Sequence, residues 1–142
     1  MKNYTDEDLA QPLANYPHAK RVGDFIFVSG VSSRRPDDSH RGATVHEDGS
    51  VETDIREQAR GVFENVERIL EGAKANLDDI VDITVFLVDM DDYGGFNEVY
   101  DEHFDAGSGP TRTTVAVAEL PHPNLLVELK VVAHQPTGIV AE

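Results

Sequence analysis

Residues 55–88 read IREQARGVFENVERILEGAKANLDDIVDITVFLV, and this stretch decides the fold class. In its first part apolar residues recur in steps of four and three, at Ile55, Ala59, Val62, Val66, Ile69 and Ala73, with Phe63 and Leu70 beside them. This period predicts an amphipathic helix of about 22 residues. Thr53 is its predicted N-cap. The β-branched run from Ile80 to Val88 predicts a buried central strand.

Weaker patterns flank this stretch. Gly23-Asp24, between Val22 and the apolar residues 25–28, predicts a β-hairpin. The polar residues 33–53 predict a long loop or a weak hairpin that turns at Asp48-Gly49. Further along, we expect a second helix at 91–104 and strands at 112–118 and 126–134.

The resulting order β-β-α-β-α-β-β predicts a single α+β domain, with a mixed sheet and two helices on one face. We expect an N-terminal arm at 1–17, the domain at 18–136 and a C-terminal tail at 137–142. Neither face of the last strand is wholly polar, so the face without helices predicts a homo-oligomer. The alternative is that these few apolar residues are ordinary surface.

Composition excludes several classes of protein. The chain has 142 residues, no cysteine and a formal net charge of -15. Disulfides, thiolate nucleophiles and cysteine-ligated metals are therefore excluded, and the acidity argues against a nucleic-acid partner. We see no apolar run long enough for a membrane span and no signal-peptide pattern in MKNYTDEDLA. These features predict a soluble, cytoplasmic protein without a membrane partner.

Common catalytic and ligand-binding motifs are also missing. Ser29-Gly30 does not fit G-x-S-x-G, and the six histidines do not fit H-E-x-x-H. The acidic residues 89–94 begin like a calcium loop but continue with tyrosines where oxygen ligands are needed. No glycine-rich loop joins a strand to a helix. The sequence therefore predicts neither a metal nor a nucleotide cofactor.

Two charged residues on predicted strands stand out. Arg112 follows the loop residues 108–111, where a fork of N–H donors could bind a carboxylate. Glu128 lies between Val127 and Leu129, which could desolvate it and suit it to proton transfer. The alternative is that Glu128 pairs with Lys130 on an exposed strand and that Arg112 is a peripheral charge. Spacing alone favours this alternative, because isolated surface ion pairs are common and usually without effect.

Five segments resemble the RidA (reactive intermediate deaminase, YjgF-like) family in order and spacing. They are Val28-Ser29-Gly30, residues 80–87, residues 96–104, residues 110–115 and Val127-Glu128-Leu129. The likeness covers about residues 16 to 135. Within the family, the sequence most resembles members that convert 2-aminomuconate to 4-oxalocrotonate and ammonia in the breakdown of aromatic compounds.

This resemblance implies a trimer with inward-facing sheets, sites between subunits, a small-molecule dicarboxylate substrate and no cofactor. Family members hydrolyse enamines and imines. The arginine that binds the substrate carboxylate corresponds to Arg112, and the glutamate that handles the attacking water corresponds to Glu128. The remaining implied substrate-binding positions are Gly30, Asn97, Thr114 and His18. Thr114 stands where many members have a cysteine, and His18 where many have a tyrosine, so a thiol is not required.

Strand geometry raises one further question. If the last two strands pair as a hairpin around His122-Pro123, Glu128 lies opposite Val117, about 16 Å along the strand from Arg112. Either the loop shifts the register or the two residues meet across a subunit boundary, and we prefer the second. A dianionic substrate also needs a local positive rim, for which the candidates are Arg112, His18, Lys20, Arg21, Arg34 and Arg35.

Three other functions are compatible with the sequence. A broad-specificity 2-imino-acid or enamine deaminase would use the same site on smaller substrates. A non-catalytic, carboxylate-binding regulatory protein would keep the fold without the reaction. RNA cleavage ranks last because of the acidic charge and the absence of a nuclease metal pattern.

Overall fold

The computed structural model describes residues 1–136, so the predicted tail at 137–142 lies outside the described residues. A six-stranded mixed sheet carries two helices on one face, which confirms the predicted α+β fold. The strands are β1 (Lys2–Tyr4), β2 (Ala19–Val22), β3 (Phe25–Val31), β4 (Ala43–Val45), β5 (Val51–Thr53), β6 (Ile80–Leu87), β7 (Thr111–Ala116) and β8 (Val127–His134). The helices are α1 (Ile55–Gly72) and α2 (Tyr93–His103).

The N-terminal half contains more β-structure than the predicted order. Residues 1–17 are not only an arm, because β1 lies within them and pairs antiparallel with β2. A three-residue strand is too short to show an alternating pattern. The segment 33–53 forms the hairpin that was one of its two predicted alternatives, with β4 and β5 as a separate two-stranded sheet. Gly49 turns this hairpin at a φ of 86°.

Helix α1 follows the predicted apolar stripe but is shorter than expected, at 18 residues. The prediction of Thr53 as its N-cap is wrong, because Thr53 still pairs with Ala43 in the β4–β5 hairpin. The side chain of Asp54 caps the helix instead, accepting hydrogen bonds from the backbone N–H groups of residues 56 and 57. At the other end Lys74 adopts a left-handed φ of 66°, which turns the chain away from the helix axis.

The strand order is β1-β2-β3-β8-β6-β7, and only β6 and β7 run parallel. The hairpin assumed for the last two strands is therefore wrong, because β6 lies between them. Residues 117–126 cross the end of β6, where Val117 N–H donates to the Leu87 carbonyl at 2.8 Å. The turn residues at 121–124 marked a reversal of the chain, but they did not specify the neighbouring strand. Strand β7 is thus an edge strand.

The core lies between the sheet and the two helices. Strands β3, β6 and β8 contribute the fully buried side chains Ile26, Val28, Ile83, Val85, Leu87, Val127, Leu129, Val131 and Ala133. Phe63 of α1 and Phe96 of α2 stack on one another above them, with ring centroids 6.1 Å apart. The alternation along β8 places Glu128 and Lys130 on the opposite face.

That opposite face is open and partly apolar. Phe27 pairs with Val132, and Phe86 pairs with Val115. Phe27 is 41% exposed and Val115 is 38% exposed. Large exposed apolar side chains that share one sheet face are typical of a surface buried by association. The homotrimer remains a prediction, and this face is where it would form.

Candidate active site

Glu128 lies near the start of β8 on the open face, opposite Phe86 of β6. Its side chain is partly buried, and burial raises the pKa of its carboxyl group above the ordinary value of 4.5. No hydrogen bond or ion pair to this carboxylate occurs within residues 1–136. A desolvated acid without a fixed partner can exchange a proton with a bound water or substrate.

Gly30 lies directly against this carboxylate. Strand β3 changes register between Val28 and Val31, and this irregularity brings Gly30 across β8. A Cβ atom at Gly30 would collide with Glu128 Oε2, so only glycine leaves room for the acid in this orientation. Gly30 and Glu128, two of the predicted site residues, are thus brought together.

Glu128 and Gly30 line a cleft of about 370 Å³, which we call the glutamate cleft. Its other polar lining residues are Tyr16, Ser32, Arg34, Asp38, His40 and His122. This volume lies within the range of roughly 300–1,000 Å³ that is usual for small-molecule sites. The cleft therefore presents two carboxyl groups, one guanidinium and two imidazoles to one ligand.

Sequence analysis did not assign Tyr16, His40 or His122 to a site. Tyr16 stood in the predicted arm, and the two histidines are 82 positions apart in loops without a recognised motif. Their rings meet with centroids 4.4 Å apart because the pairing of β3 with β8 brings the two loops together. Only knowledge of that long-range pairing could have revealed them.

Arg112 lies on the other face of the sheet. It pairs with the buried Ile83, and its guanidinium contacts the rings of α2. Its Cζ atom is 4.6 Å from the Tyr100 ring centroid, 5.1 Å from that of Phe96 and 5.6 Å from that of Tyr93. These aromatic faces attract the cation and restrict its orientation.

Thr114 and Asn97 accompany Arg112. The Arg112 Nε–H group donates to Thr114 Oγ1 at 2.9 Å, which fixes the plane of the guanidinium. Arg112 Nη2 is buried and has no hydrogen-bond partner within the described residues. The same is true of Asn97 Oδ1 on α2. Buried polar atoms normally have partners, so these two atoms indicate a missing ligand or subunit.

One protomer does not bring Arg112 and Glu128 into one cavity. Arg112 lies opposite Ile83 and Glu128 opposite Phe86, on opposite faces of the sheet. Two strand spacings and three residues separate them, which places their Cα atoms roughly 14 Å apart. The hairpin register that predicted about 16 Å is wrong in topology, and the preferred alternative, a meeting of Arg112 and Glu128 across a subunit boundary, remains a prediction.

His18 has a different environment from the one implied for a substrate-binding residue. Its Nδ1 accepts the Asp6 N–H at 3.0 Å, and its Nε2 contacts the Ala10 carbonyl at 2.9 Å. The ring is 9% exposed and both of its nitrogens bind backbone, so His18 anchors the N-terminal segment. It also lines a small cavity of about 60 Å³ with Gly30 and Arg34, and its role in substrate binding remains a prediction.

The proposed pairing of Glu128 with Lys130 is not present. Lys130 Nζ donates instead to the Val28 carbonyl at 2.6 Å. Arg21, one of the predicted rim cations, is 3% exposed and donates to the carbonyls of Ala73 and Gln135, so it is a structural residue. Arg34 does line the glutamate cleft.

The described residues hold no group of three or more histidine, aspartate or glutamate side chains that could bind a metal ion. Neither described helix combines the length and apolar character that crossing a membrane requires.

Comparison with known proteins identifies the family. The Endoribonuclease L-PSP family model matches residues 7–135. The chain belongs to the RidA (YjgF-like) family. A RutC family protein of Pyrococcus abyssi is 40% identical over 129 residues, which cover 91% of this chain and 93% of the relative. The crystal structure of yeast MMF1 superposes with a TM-score of 0.78 at 36% identity, covering 94% of this chain and 98% of that one.

One RidA relative has a name that states an activity. The 2-iminobutanoate/2-iminopropanoate deaminase of Dermatophagoides farinae is 32% identical over 120 residues, 84% of this chain and 85% of the relative. Membership of the RidA family confirms the resemblance seen in the sequence, and the solved structures confirm the fold.

Proposed function

We propose that this RidA protein is a hydrolytic deaminase that converts 2-aminomuconate to the 2-oxo dicarboxylate 4-oxalocrotonate and ammonia. The proposal rests on two groups that have no hydrogen-bond partner among residues 1–136: the buried Arg112 Nη2 and the desolvated carboxyl of Glu128. One is suited to a substrate carboxylate and the other to a proton in transfer. The named deaminase among the relatives supports the reaction class.

The site would be assembled from two subunits of a homotrimer. Arg112 lies on the edge strand β7, and Glu128 lies on the open sheet face, so neighbouring copies could place one beside the other. The apolar side chains on that face would become buried in the same step. Arg112, Thr114 and Asn97 would come from one protomer, and Glu128 and Gly30 from its neighbour.

The reaction begins with tautomerisation of the enamine to the imine, which makes C2 electrophilic. Arg112 binds the C1 carboxylate through a fork of N–H donors and fixes C2 near the water held by Glu128. Water forms the new C–O bond while Glu128 accepts one of its protons and the imine nitrogen takes up a proton from solvent, which gives the carbinolamine. Glu128 then protonates the amino group, the C–N bond breaks, and the hydroxyl proton passes to solvent as the ketone forms. Water supplies the oxygen, and ammonia leaves.

This mechanism needs no metal, thiol or nucleotide. Imines hydrolyse readily in water, and a positioned acid/base group contributes about 10²- to 10⁴-fold. The raised pKa of Glu128 suits both of its roles, because its carboxylate holds a proton more strongly than an exposed glutamate does and can return it to the substrate. The predicted place of the reaction is the cytoplasm, in the catabolism of aromatic compounds.

A second candidate function is a broad-specificity deaminase of small 2-imino acids. It is favoured by the two substrates in the name of the Dermatophagoides farinae relative, each of which carries a single carboxylate. The two proposals share residues and chemistry and differ in the second carboxylate.

Ammonia release tests both. Freshly generated 2-aminomuconate and 2-iminopropanoate are each supplied to the purified protein and to its Glu128→Gln variant. We expect a higher kcat/KM on 2-aminomuconate and a loss of at least about 10²-fold in the variant. Equal kcat/KM on the two substrates would favour the broad-specificity enzyme. No ammonia from either substrate would favour the non-catalytic carboxylate-binding protein.

A further inference from the structure

The glutamate cleft contains a polar cluster that the proposed reaction does not use. Arg34 and His40 come from the segment after β3, and His122 comes from the turn before β8. All three line the same cleft as Glu128. We call them the Arg34–His40–His122 cluster.

His122 presents a defined donor. Its Nδ1 accepts the Asn124 N–H at 3.1 Å, so the proton of the neutral ring lies on Nε2. The His122 carbonyl also accepts the Leu125 N–H at 3.1 Å, which fixes the turn. The ring is thereby held in place, and Nε2 remains a hydrogen-bond donor for another group.

His40 packs against this ring and is 4% exposed. Burial lowers the pKa of His40, and the neighbouring His122, Arg34 and Arg35 lower it further, whereas Asp38 raises it. His40 is therefore neutral at physiological pH and adds a dipole rather than a charge to the cleft.

Arg34 is the cation of the cluster. Its Nη1 donates to Asp38 at 3.0 Å, and its Nη2 donates to the Gln11 carbonyl. A guanidinium has five N–H donors, so three remain without a partner within residues 1–136. The side chain is only 18% exposed. Asp38 also lines the cleft and offsets the charge of Arg34, so a carboxylate would be recognised there by the remaining guanidinium N–H donors together with the His122 donor.

We infer that Arg34 and His122, supported by His40, bind a second carboxylate of the substrate, distal to the one bound by Arg112. This inference rests on the proposed function and assigns its specificity. The reacting carbon of the substrate then lies between Arg112 and the Arg34–His40–His122 cluster. Glu128 lines the same cleft that would hold the distal carboxylate. The recognised substrates are conjugated chains with a carboxylate at each end.

The experiment compares two substrates that differ in the distal carboxylate, 2-aminomuconate and 2-iminopropanoate, in three variants. His122→Asn keeps a side-chain acceptor for the Asn124 N–H but removes the Nε2 donor, and Arg34→Gln removes the charge. His46→Asn is the matched control, since His46 lies in the β4–β5 hairpin beside Glu52. We expect kcat/KM on 2-aminomuconate to fall about 10- to 100-fold in His122→Asn and Arg34→Gln. On 2-iminopropanoate we expect a change below about threefold, and His46→Asn should match wild type on both.

Binding without turnover separates this inference from the proposed function. Calorimetry would measure the Kd of trans,trans-muconate and of sorbate, which has the same six-carbon trans,trans diene and one carboxylate. We expect wild type to bind muconate at least about tenfold more tightly and both variants to lose that preference. This result would support the second carboxylate site even if no imine were hydrolysed.

Two results would overturn the inference. One is wild-type protein that binds muconate no more tightly than sorbate. The other is a pair of variants whose kcat/KM falls by the same factor on both substrates, because that pattern indicates damage to the cleft as a whole. Thermal unfolding of each variant, compared with His46→Asn, identifies loss of folding.

Discussion

Gly30 and Glu128 are in contact across the β3–β8 pair, and the carboxylate of Glu128 occupies the space that a side chain at position 30 would need. The absence of a side chain at position 30 thus allows the carboxylate of Glu128 to take this orientation. The backbone at Gly30 is not in the left-handed region, so the requirement for glycine comes from this contact alone.

Gly30→Ala tests this contact. The added methyl group should displace the Glu128 carboxylate, and we expect kcat/KM for deamination to fall about 10- to 100-fold with a small change in Tm. Gly94→Ala is the control, because a Cβ at Gly94 meets no atom within 4 Å and alanine favours the helix. If Gly30→Ala kept wild-type kcat/KM, the acid would not need its present position.

The raised pKa of Glu128 predicts how stability depends on pH. Below its ordinary pKa of 4.5 the carboxyl is protonated in both the folded and the unfolded chain. As pH rises above 4.5, Glu128 ionises in the unfolded chain while it is still protonated in the folded protein. The free energy of unfolding therefore decreases with pH until the pH exceeds the higher pKa of the folded state. Glu128→Gln should remove this loss. We expect equal Tm values for wild type and variant near about pH 4 and a higher Tm for the variant near about pH 8. A lower Tm for the variant at the higher pH would show that the carboxylate stabilises the fold.

Arg112→Lys preserves the charge but removes the planar fork of donors and its fit between the rings of α2. We expect kcat/KM to fall about 10²-fold or more, mainly through weaker carboxylate binding. Arg56→Lys, at an exposed ion pair with Glu98, should leave the activity near that of wild type. Steady-state kinetics of the three proteins check this, and an unimpaired Arg112→Lys enzyme would exclude fork-like recognition.

Mixing two inactive variants tests whether the site spans two subunits. Co-expressed Arg112→Ala and Glu128→Gln chains should assemble at random, and a mixed trimer then retains one intact site of three. Three quarters of the trimers are mixed at a 1:1 ratio, so we expect about 25% of wild-type activity. Each variant alone should be inactive. If the mixture were as inactive as its parts, Arg112 and Glu128 would not act across subunits.

His18→Phe should loosen the N-terminal segment, because the two ring nitrogens of His18 bind the backbone of that segment at Asp6 and Ala10. We expect faster amide hydrogen exchange in residues 5–10, with kcat/KM within about threefold of wild type. His46→Phe serves as the comparison at an exposed site. An unchanged exchange rate together with a raised KM would instead support the substrate-binding role implied by the family resemblance.

Local patterns in the sequence were sufficient for the helices and most strands. The apolar stripe from Ile55 to Leu70 and the β-branched run of β6 are both produced by burial of one face of the element. Burial of one face places apolar residues at regular intervals, so the sequence itself shows it. Asp54, not Thr53, caps the helix because Thr53 pairs with Ala43 in the β4–β5 hairpin. The preference of residue types for the N-cap position does not take such pairing into account.

The site was only partly predictable for the same reason. Arg112 and Glu128 could be singled out by charge and by family resemblance, but their separation by two strand spacings follows from the insertion of β6 between β7 and β8. The meeting of His40 with His122 depends on β3 pairing with β8. Neither relationship leaves a periodic signal in the sequence.

The position of Arg112 on the edge strand β7 has a consequence for how such an enzyme would behave at low abundance. If the site forms between subunits, one isolated chain would contain both Arg112 and Glu128 but could not bring them to the same substrate. Dilution below the dissociation constant of the oligomer would then abolish activity while each chain stays folded, and specific activity would measure self-association.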